Sequence, residues 1–483
     1  MPHPQVQAGP QVVAGFAPMW AAIATPPCFQ RLCMPSLRPV CLLLAGLAAC
    51  HSYRPEPVDL AAHAAAFAAA LPDAEALRQR LEAAGFAWPQ QVDFTDGIAL
   101  AEARLLTLVL HPDCRLARLR AGIDAAAATA AGLLADPQIV TAFQRILPQT
   151  PTPWLTLTTL GISIPLNGRL AAEKELANGE AAVARWQARL AELRALDQLE
   201  TAWLHWSADR QRGQLLADLC QRLDELVALA ERLAAAGEMT RTDARTFALE
   251  QQRRRIELLA NAAQVQEGAL ELHALLGVAP TLALTLEPSL APAPRQRRAA
   301  EELDPTMVPT LAALAADHQR SEAAHALAIR MQWADLQLFP GHAEEDGTAR
   351  LAFGFTLPIP LWNGNLQEIR RTAAARDAAA EALRCGLEQF RQQLAVAELR
   401  ERNTAAVRDA VRDSLLPLAA QQVDDVRQLA ALGNLDVLRI LDAVLRAHEA
   451  RWQELAAIEA HALAQCTTNT LFWPDLYPTP ESR

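Results

Sequence analysis

His342, Glu344, Glu345 and Asp346 crowd into one short stretch, and imidazole with carboxylates is a donor set that suits Zn²⁺. They follow Pro340-Gly341 between two alternating segments. A solvated polar hairpin loop therefore accounts for them first, because loop tips are normally charged and mobile. His318 and His325 share a helix face by spacing, and a satisfied or exposed helical histidine explains each without a ligand pair. Trp203 and Trp206 read as helix packing, and the arginine runs 253–255 and 297–298 read as solvated surface. Cys114, Cys220, Cys385 and Cys466 lie far apart with no Cys-x-x-Cys pair, which argues against metal ligation, and buried free thiols are favoured over the two disulfides that an oxidising compartment would allow. The sequence holds no Walker glycine loop, no Gly-x-Ser-x-Gly elbow and no His-Glu-x-x-His. The expectation is a protein that is not an enzyme and needs no cofactor or resident metal.

One cysteine does carry chemistry. Val40 to Ala49 is an apolar run behind Arg31 and Arg38, and it ends in Leu47-Ala48-Ala49-Cys50. The run fits a signal-peptide core and is too short to span a bilayer. Small residues followed at once by Cys form a lipobox, so the signal is expected to leave before Cys50 and the thiol to take a lipid. An ordinary signal peptide cut nearby, with Cys50 a bystander, is the plainer alternative. Residue 51 is His rather than the Asp of inner-membrane retention signals. Met34 is a second candidate start.

The remaining sequence must position very little chemistry and a great deal of helix. The chain has 483 residues, 51% hydrophobic but only 5% aromatic, and a formal charge of −11. Ala, Leu, Arg, Glu and Gln dominate, as in long helices packed through small side chains. The acidic balance argues against nucleic acid, and no apolar run reaches the ~20 residues of a spanning helix. The chain is also written twice. Ile164-Pro-Leu-Asn-Gly168 recurs as Ile359-Pro-Leu-Trp-Asn-Gly364 with Trp362 inserted, so that Asn167/Asn363 and Gly168/Gly364 lie 196 apart, and Ala236-Gly-Glu-Met-Thr240 recurs as Leu432-Gly-Asn-Leu-Asp436 at the same offset. Each copy predicts a helix (98–135, then 308–330), an alternating segment pair, a long unbroken helix (169–236, then 365–432), a glycine turn and a return helix. At 1.5 Å per residue the long helices reach ~100 Å. Gly237 and Gly433 suit the left-handed C-cap, Thr240 and Asp436 are N-cap residues, and Thr240 to Asp243 reads as a capping box. Pro417 should kink the second long helix.

Residues 351–361 alternate large apolar with small side chains, which suits a strand with one face in lipid. The matching segment, 154–165, changes apolar phase near Thr158 and Thr159, and a β-bulge there would explain the change. Partner strands are expected at 138–147 and 331–340. Trp154, Trp333 and Trp362 sit where an aromatic girdle belongs. Four strands expose two edges, which lipid does not tolerate, so membrane insertion requires several chains. A small soluble sheet, in a lipid-anchored periplasmic coiled-coil scaffold without a pore, is the alternative. It has no need of proline-ended alternating segments that run straight into long helices.

Taken together, these residues resemble an outer-membrane efflux protein of the TolC type over about 94–470. The pieces that carry the resemblance are Cys50 with Tyr53 and Pro55, His111-Pro112-Asp113, Gly161 to Leu166, Leu357 to Asn363, and Gly433 to Ala443. The corner Leu357 to Asn365 and Pro417 lean towards the outer-membrane parts of heavy-metal RND pumps. The resemblance implies a mainly α fold with a small membrane β part: two repeats of long antiparallel hairpins, with four strands per chain contributing to a twelve-stranded barrel of a homotrimer. It also implies a passive exit duct in the outer membrane, joined to a periplasmic adaptor and an inner-membrane RND-type transporter. The tips at Gly237, Thr240, Asp243, Gly433 and Asp436 would meet the adaptor. In such proteins acidic residues past the second tip glycine narrow the entrance; Asp442 matches one of these positions, and Arg439 stands where TolC itself has an acid. Arg439 and Asp442 can pair along the helix or between subunits, or be ordinary solvated positions. The implied division is 1–49 signal peptide, 50–93 lipid-anchored segment, 94–277 first repeat, 278–307 linker, 308–470 second repeat and 471–483 tail.

Overall fold

The computed structural model describes residues 53–68, 71, 73–86, 97–145, 147, 154–293, 295, 308–345, 348–432 and 436–475. Met34, Cys50, Gly433 and Arg297-Arg298 lie outside them. The chain divides into two units, 1–62 and 63–483. Residues 53–59 have no regular structure and lead into helix α1 (Leu60–Ala68), within which the division falls.

In the second unit α2 (Ala74–Ala83) is followed by α3 (Leu100–Leu110) and α4 (Pro112–Thr129). The single helix expected over 98–135 is therefore broken, and Pro112 is the reason. A residue before proline is driven from the helical region, and His111 sits at φ −56°, ψ 129°. Its Nδ1 accepts the Asp113 N–H at 3.2 Å, which caps the new helix.

Strands β1 (Gln138–Arg145) and β2 (Trp154–Ile164) lead into α5 (Arg169–Ala236), an unbroken helix of 68 residues. It begins after Gly168 at φ 71° and ends at Gly237 at φ 81°, both in the left-handed region that favours glycine. The return helix α6 (Arg241–Leu276) has 36 residues. The second copy runs α7 (Pro309–Arg330), β3 (Leu336–Glu345), β4 (Thr348–Thr356), α8 (Leu366–Ala410), α9 (Leu416–Ala431) and α10 (Val437–Asn469). Between α8 and α9 the chain makes a π-helical turn, Val411–Leu415. Pro417 lies just beyond. It cannot donate to the Asp413 carbonyl, and its ring crowds that carbonyl, so the ladder widens there.

All four strands pair antiparallel in the order β1-β2-β3-β4. Two sequence expectations are corrected. First, β3 starts five residues later than predicted and contains His342 and Glu344, so these are strand residues rather than a hairpin loop; β4 correspondingly starts at Thr348 and stops at Thr356. Second, β2 has no bulge. Gln138 pairs with Gly161 and Arg145 with Trp154 in one unbroken register. Against β3, Thr156 pairs with Glu344 and Ile164 with Leu336, again without a slip. The phase change in β2 is a real change of face.

The main core gathers α2, α3, the middle of α5, the end of α6 and the segment after it. Leu196, Leu199 and Trp203 are fully buried there, and the Trp203 and Trp206 rings meet at 5.7 Å. Within the expected linker, Leu286 and Ala293 belong to this core, as does Trp473 from the expected tail. Buried charge ties the same place together. Arg295 donates to Asp197 at 2.7 Å and to Glu200 at 3.1 Å, and Arg104 approaches Glu200 at 3.1 Å. Burial pushes the Asp197 carboxyl up to about 7 against the pull of Arg295. Asn469 Nδ2 donates to the Ala293 carbonyl at 2.9 Å, fastening the end of α10 to the same segment. The arginine run is also less solvated than expected: Arg254 is largely covered and pairs with Glu250 and Glu257. Cys114, Cys220 and Cys466 are buried free thiols, and Cys385 is an exposed one.

Candidate functional site: an amphipathic sheet and two helix tips

Directly opposed residues of an antiparallel pair project to the same side, so the register sorts the sheet into two faces. One face carries Leu351, Phe353 and Phe355 from β4, all well exposed. Opposite them on β3 stand His342, Pro340 and Leu338. On β2 the same side holds Thr156, Thr158, Ile162 and Ile164, and on β1 it holds Ile139, Thr141 and Phe143. The other face is slim and mostly polar: Gln138, Ser163, Gln337, Gly354 and Thr356 are on it. Its one large aromatic, Phe339, lies over two glycines, with its ring 3.3 Å from where a Gly161 Cβ would stand and its own Cβ 3.9 Å from that of Gly354. An apolar outer face and a slim polar inner face are what a barrel wall needs. Leu155 and Leu157, the first half of the apolar phase in β2, therefore lie on the slim face.

Trp154 marks the turn end of the sheet, where the Arg145 guanidinium lies 5.8 Å from its ring centroid. Trp333 and Trp362 mark the helix end and are exposed, as is Trp154. Both strand-to-helix corners fasten onto the end of α7. Asn167 Nδ2 donates to the Arg330 carbonyl at 3.0 Å, and Asn365 Nδ2 donates to that of Ala328 at 2.8 Å. Asn365, at φ 57°, is the N-cap of α8. The sequence alignment of Asn167 with Asn363 is thus replaced in this contact by Asn365.

At the far end of the hairpin Gly237 donates to Ala234 O and Glu238 to Leu233 O, satisfying carbonyls of the last turn. Thr240 Oγ1 accepts the Asp243 N–H at 3.1 Å and donates to Asp243 Oδ2 at 2.7 Å. Asp243 thus reaches the cap hydroxyl instead of the cap N–H of a full capping box. Asp436 caps α10 by accepting the Arg439 N–H at 3.2 Å. One apolar cluster unites the two tips: Leu223, Val227 and Phe247 pack with Val437 and Leu441. That packing leaves Arg439 and Asp442 exposed, and they do not pair with each other within the chain. Arg439 pairs with Asp436 at 3.1 Å and Asp442 with Arg446 at 2.8 Å. Each has a partner one turn away, which α-helical spacing favours equally. Among the described residues no three His, Cys, Asp or Glu side chains are grouped to hold a metal.

The chain thus presents a four-stranded amphipathic sheet with open edges, continued by a helix ~100 Å long and its antiparallel return helix. The sequence matches no family model and no curated protein, but solved structures share the fold. The outer membrane protein VceC of Vibrio cholerae aligns with a TM-score of 0.63 at 16% identity, over 77% of this chain and 96% of that one. CusC aligns with a TM-score of 0.65 at 13% identity, over 80% of this chain and 96% of that one. The MtrE outer membrane channel of Neisseria gonorrhoeae, solved in its open state, gives 0.62 at 16% identity, over 77% and 88%. This chain has the fold of those channels.

Proposed function

We propose that the chain is one subunit of a homotrimeric exit duct in the bacterial outer membrane, passively conducting what an inner-membrane transporter of the RND type and a periplasmic adaptor deliver. The observation that carries this reading is the sheet: one lipid-type face, one lumen-type face, and two unpaired edges on β1 and β4. Unpaired edges are unstable in hydrocarbon, so closure must come from further copies. The helices support it. Leu249, Ile256, Leu259 and Leu270 of α6 are exposed and fall within a sector of about 80° on the helix. Val396, Leu399 and Val407 make a similar exposed stripe on α8. Unpartnered apolar stripes of this length call for helices of neighbouring subunits.

The tips around Gly237, Thr240, Asp243, Gly433 and Asp436 meet the adaptor in this reading, Arg439 and Asp442 line the entrance, and Cys50 carries the lipid. Heavy-metal cations are the cargo class that the strand-to-helix corner at 357–365 and Pro417 favour. Detergent-extracted protein should run as a trimer by light scattering and form conducting channels in planar bilayers. A stable membrane-inserted monomer would overturn the assembly. A trimer that is soluble without detergent and never conducts would return the scaffold reading.

A further inference from the structure

Helix α1 lies over a hollow rather than on a core. None of its nine residues is buried, and Phe67, its largest apolar side chain, is 45% exposed. His63, Ala66 and Phe67 share one face of the helix by their spacing, and they line a cavity of about 280 Å³. Every residue around that cavity belongs to the second unit. Its far wall is apolar and firmly held: Leu110 at the end of α3 and Val278 just after α6 are buried members of the main core, and Leu282 packs against it. The volume is close to the lower bound of the ~300–1,000 Å³ usual for small-molecule sites. The polar part of the lining is basic. Arg80 from α2 and Arg115 from the first turns of α4 reach the same cavity, and no Asp or Glu lines it. Neither guanidinium, nor the His63 imidazole, has an ion pair or side-chain hydrogen bond among the described residues. In a chain of formal charge −11, two unpaired arginines and a histidine around one apolar hollow are a concentration of positive charge that nothing in the fold neutralises.

We propose that this cavity binds a small organic carboxylate: the charged end between Arg80 and Arg115, the compact apolar body against Leu110, Val278 and Phe67. A carboxylate is the group that guanidinium forks hold by paired, charge-assisted hydrogen bonds, and His63 adds a third donor. The apolar body displaces water from the wall and covers Phe67, which gains the burial that α1 lacks on its own. The bound molecule thereby fastens α1 to the helices behind it. This site uses neither the sheet nor the helix tips, so it goes beyond the exit-duct reading and stands or falls separately from it.

The test uses the full-length protein in detergent, with 2-naphthoate as the probe and uncharged 2-naphthamide as the control for partition into micelles, both followed by isothermal titration calorimetry. Naphthoate should bind saturably, and naphthamide should not. Arg80→Gln combined with Arg115→Gln removes the charge-assisted bonds and should weaken binding about tenfold or more. Ala66→Trp, an exposed position on α1, fills the hollow from the solvent side and should abolish binding. Arg120→Gln, on α4 but outside the cavity, should bind as the parent does. Hydrogen exchange should slow several-fold in α1 when naphthoate is added to the parent. No saturable binding by the parent, equal binding of naphthamide, or unchanged exchange in α1 overturns the proposal. So does parent-like binding in either the double arginine variant or Ala66→Trp; the two variants act on different walls, so the one that folds decides if the other does not.

Discussion

Gly237 and Gly277 offer a matched pair of perturbations. Both end a helix in the left-handed region, at φ 81° and 72°. Their surroundings differ. A Cβ on Gly237 would meet nothing within 4 Å, whereas one on Gly277 would lie 2.5 Å from the Leu110 carbonyl carbon and oxygen. Val at position 237 therefore bears only backbone strain, about 1–3 kcal/mol for a non-glycine residue held there. It can relieve that strain by refolding the tip, because no neighbour resists. Val at 277 bears the same strain plus a backbone overlap that only parting α3 from α6 would relieve, so it belongs with the overpacked core variants, which lose several kcal/mol in total. Gly237→Val should leave trimer melting nearly unchanged, yet impair efflux of the cargo in cells, since the altered tip no longer fits its partner. Gly277→Val should lower the melting temperature strongly or prevent assembly. Normal efflux by Gly237→Val would remove the tip from the adaptor contact. Equal melting of Gly277→Val and the parent would refute the packing argument.

Three further outcomes are expected. Asp197, pushed up to about 7 by burial against the pull of Arg295, favours the folded state more strongly when protonated than when ionised. Its contribution is present below the carboxyl's ordinary range and is lost as pH rises to about 7, on the order of a few kcal/mol per chain. Melting of the parent should fall more steeply between acidic and neutral pH than that of Asp197→Asn, and parallel curves would refute the assignment. Arg439→Asp should raise cation selectivity in single-channel recordings, and Asp442→Ala should change conductance. Each exposed pair with Asp436 or Arg446 holds the side chains by only ~0.2–1 kcal/mol, so assembly should not suffer; identical recordings for both variants would take these residues out of the constriction. Cys50→Ala should block incorporation of labelled fatty acid, and label that still enters would reassign the anchor.

The long elements were legible from one sequence because their signals are local. Gly168 and Gly237 bracket α5, Thr240 opens α6, and the repeat offset of 196 transfers the same plan to the second copy. Caps and left-handed turns depend on residues within a turn of each other, so the sequence displays them directly. The alternation of β4 likewise showed its greasy face. Register is different, because it depends on which strand lies opposite. The phase change in β2 read as a bulge until its pairing with β1 and β3 placed Leu155 and Leu157 on one face and Thr156 and Thr158 on the other. Contacts of the residues expected in linker and tail were not legible because their partners are remote: Arg295 finds Asp197 and Glu200 almost a hundred positions earlier, and Trp473 joins a core built from the first repeat. Even the within-chain pairing of Arg439 and Asp442 was decided by neighbours, since Arg439 has Asp436 and Asp442 has Arg446 within one turn. Local chemistry wrote the helices and their ends into the sequence; only the folded chain could decide faces, partners and buried charge, because those depend on distances in space that spacing along the chain does not encode.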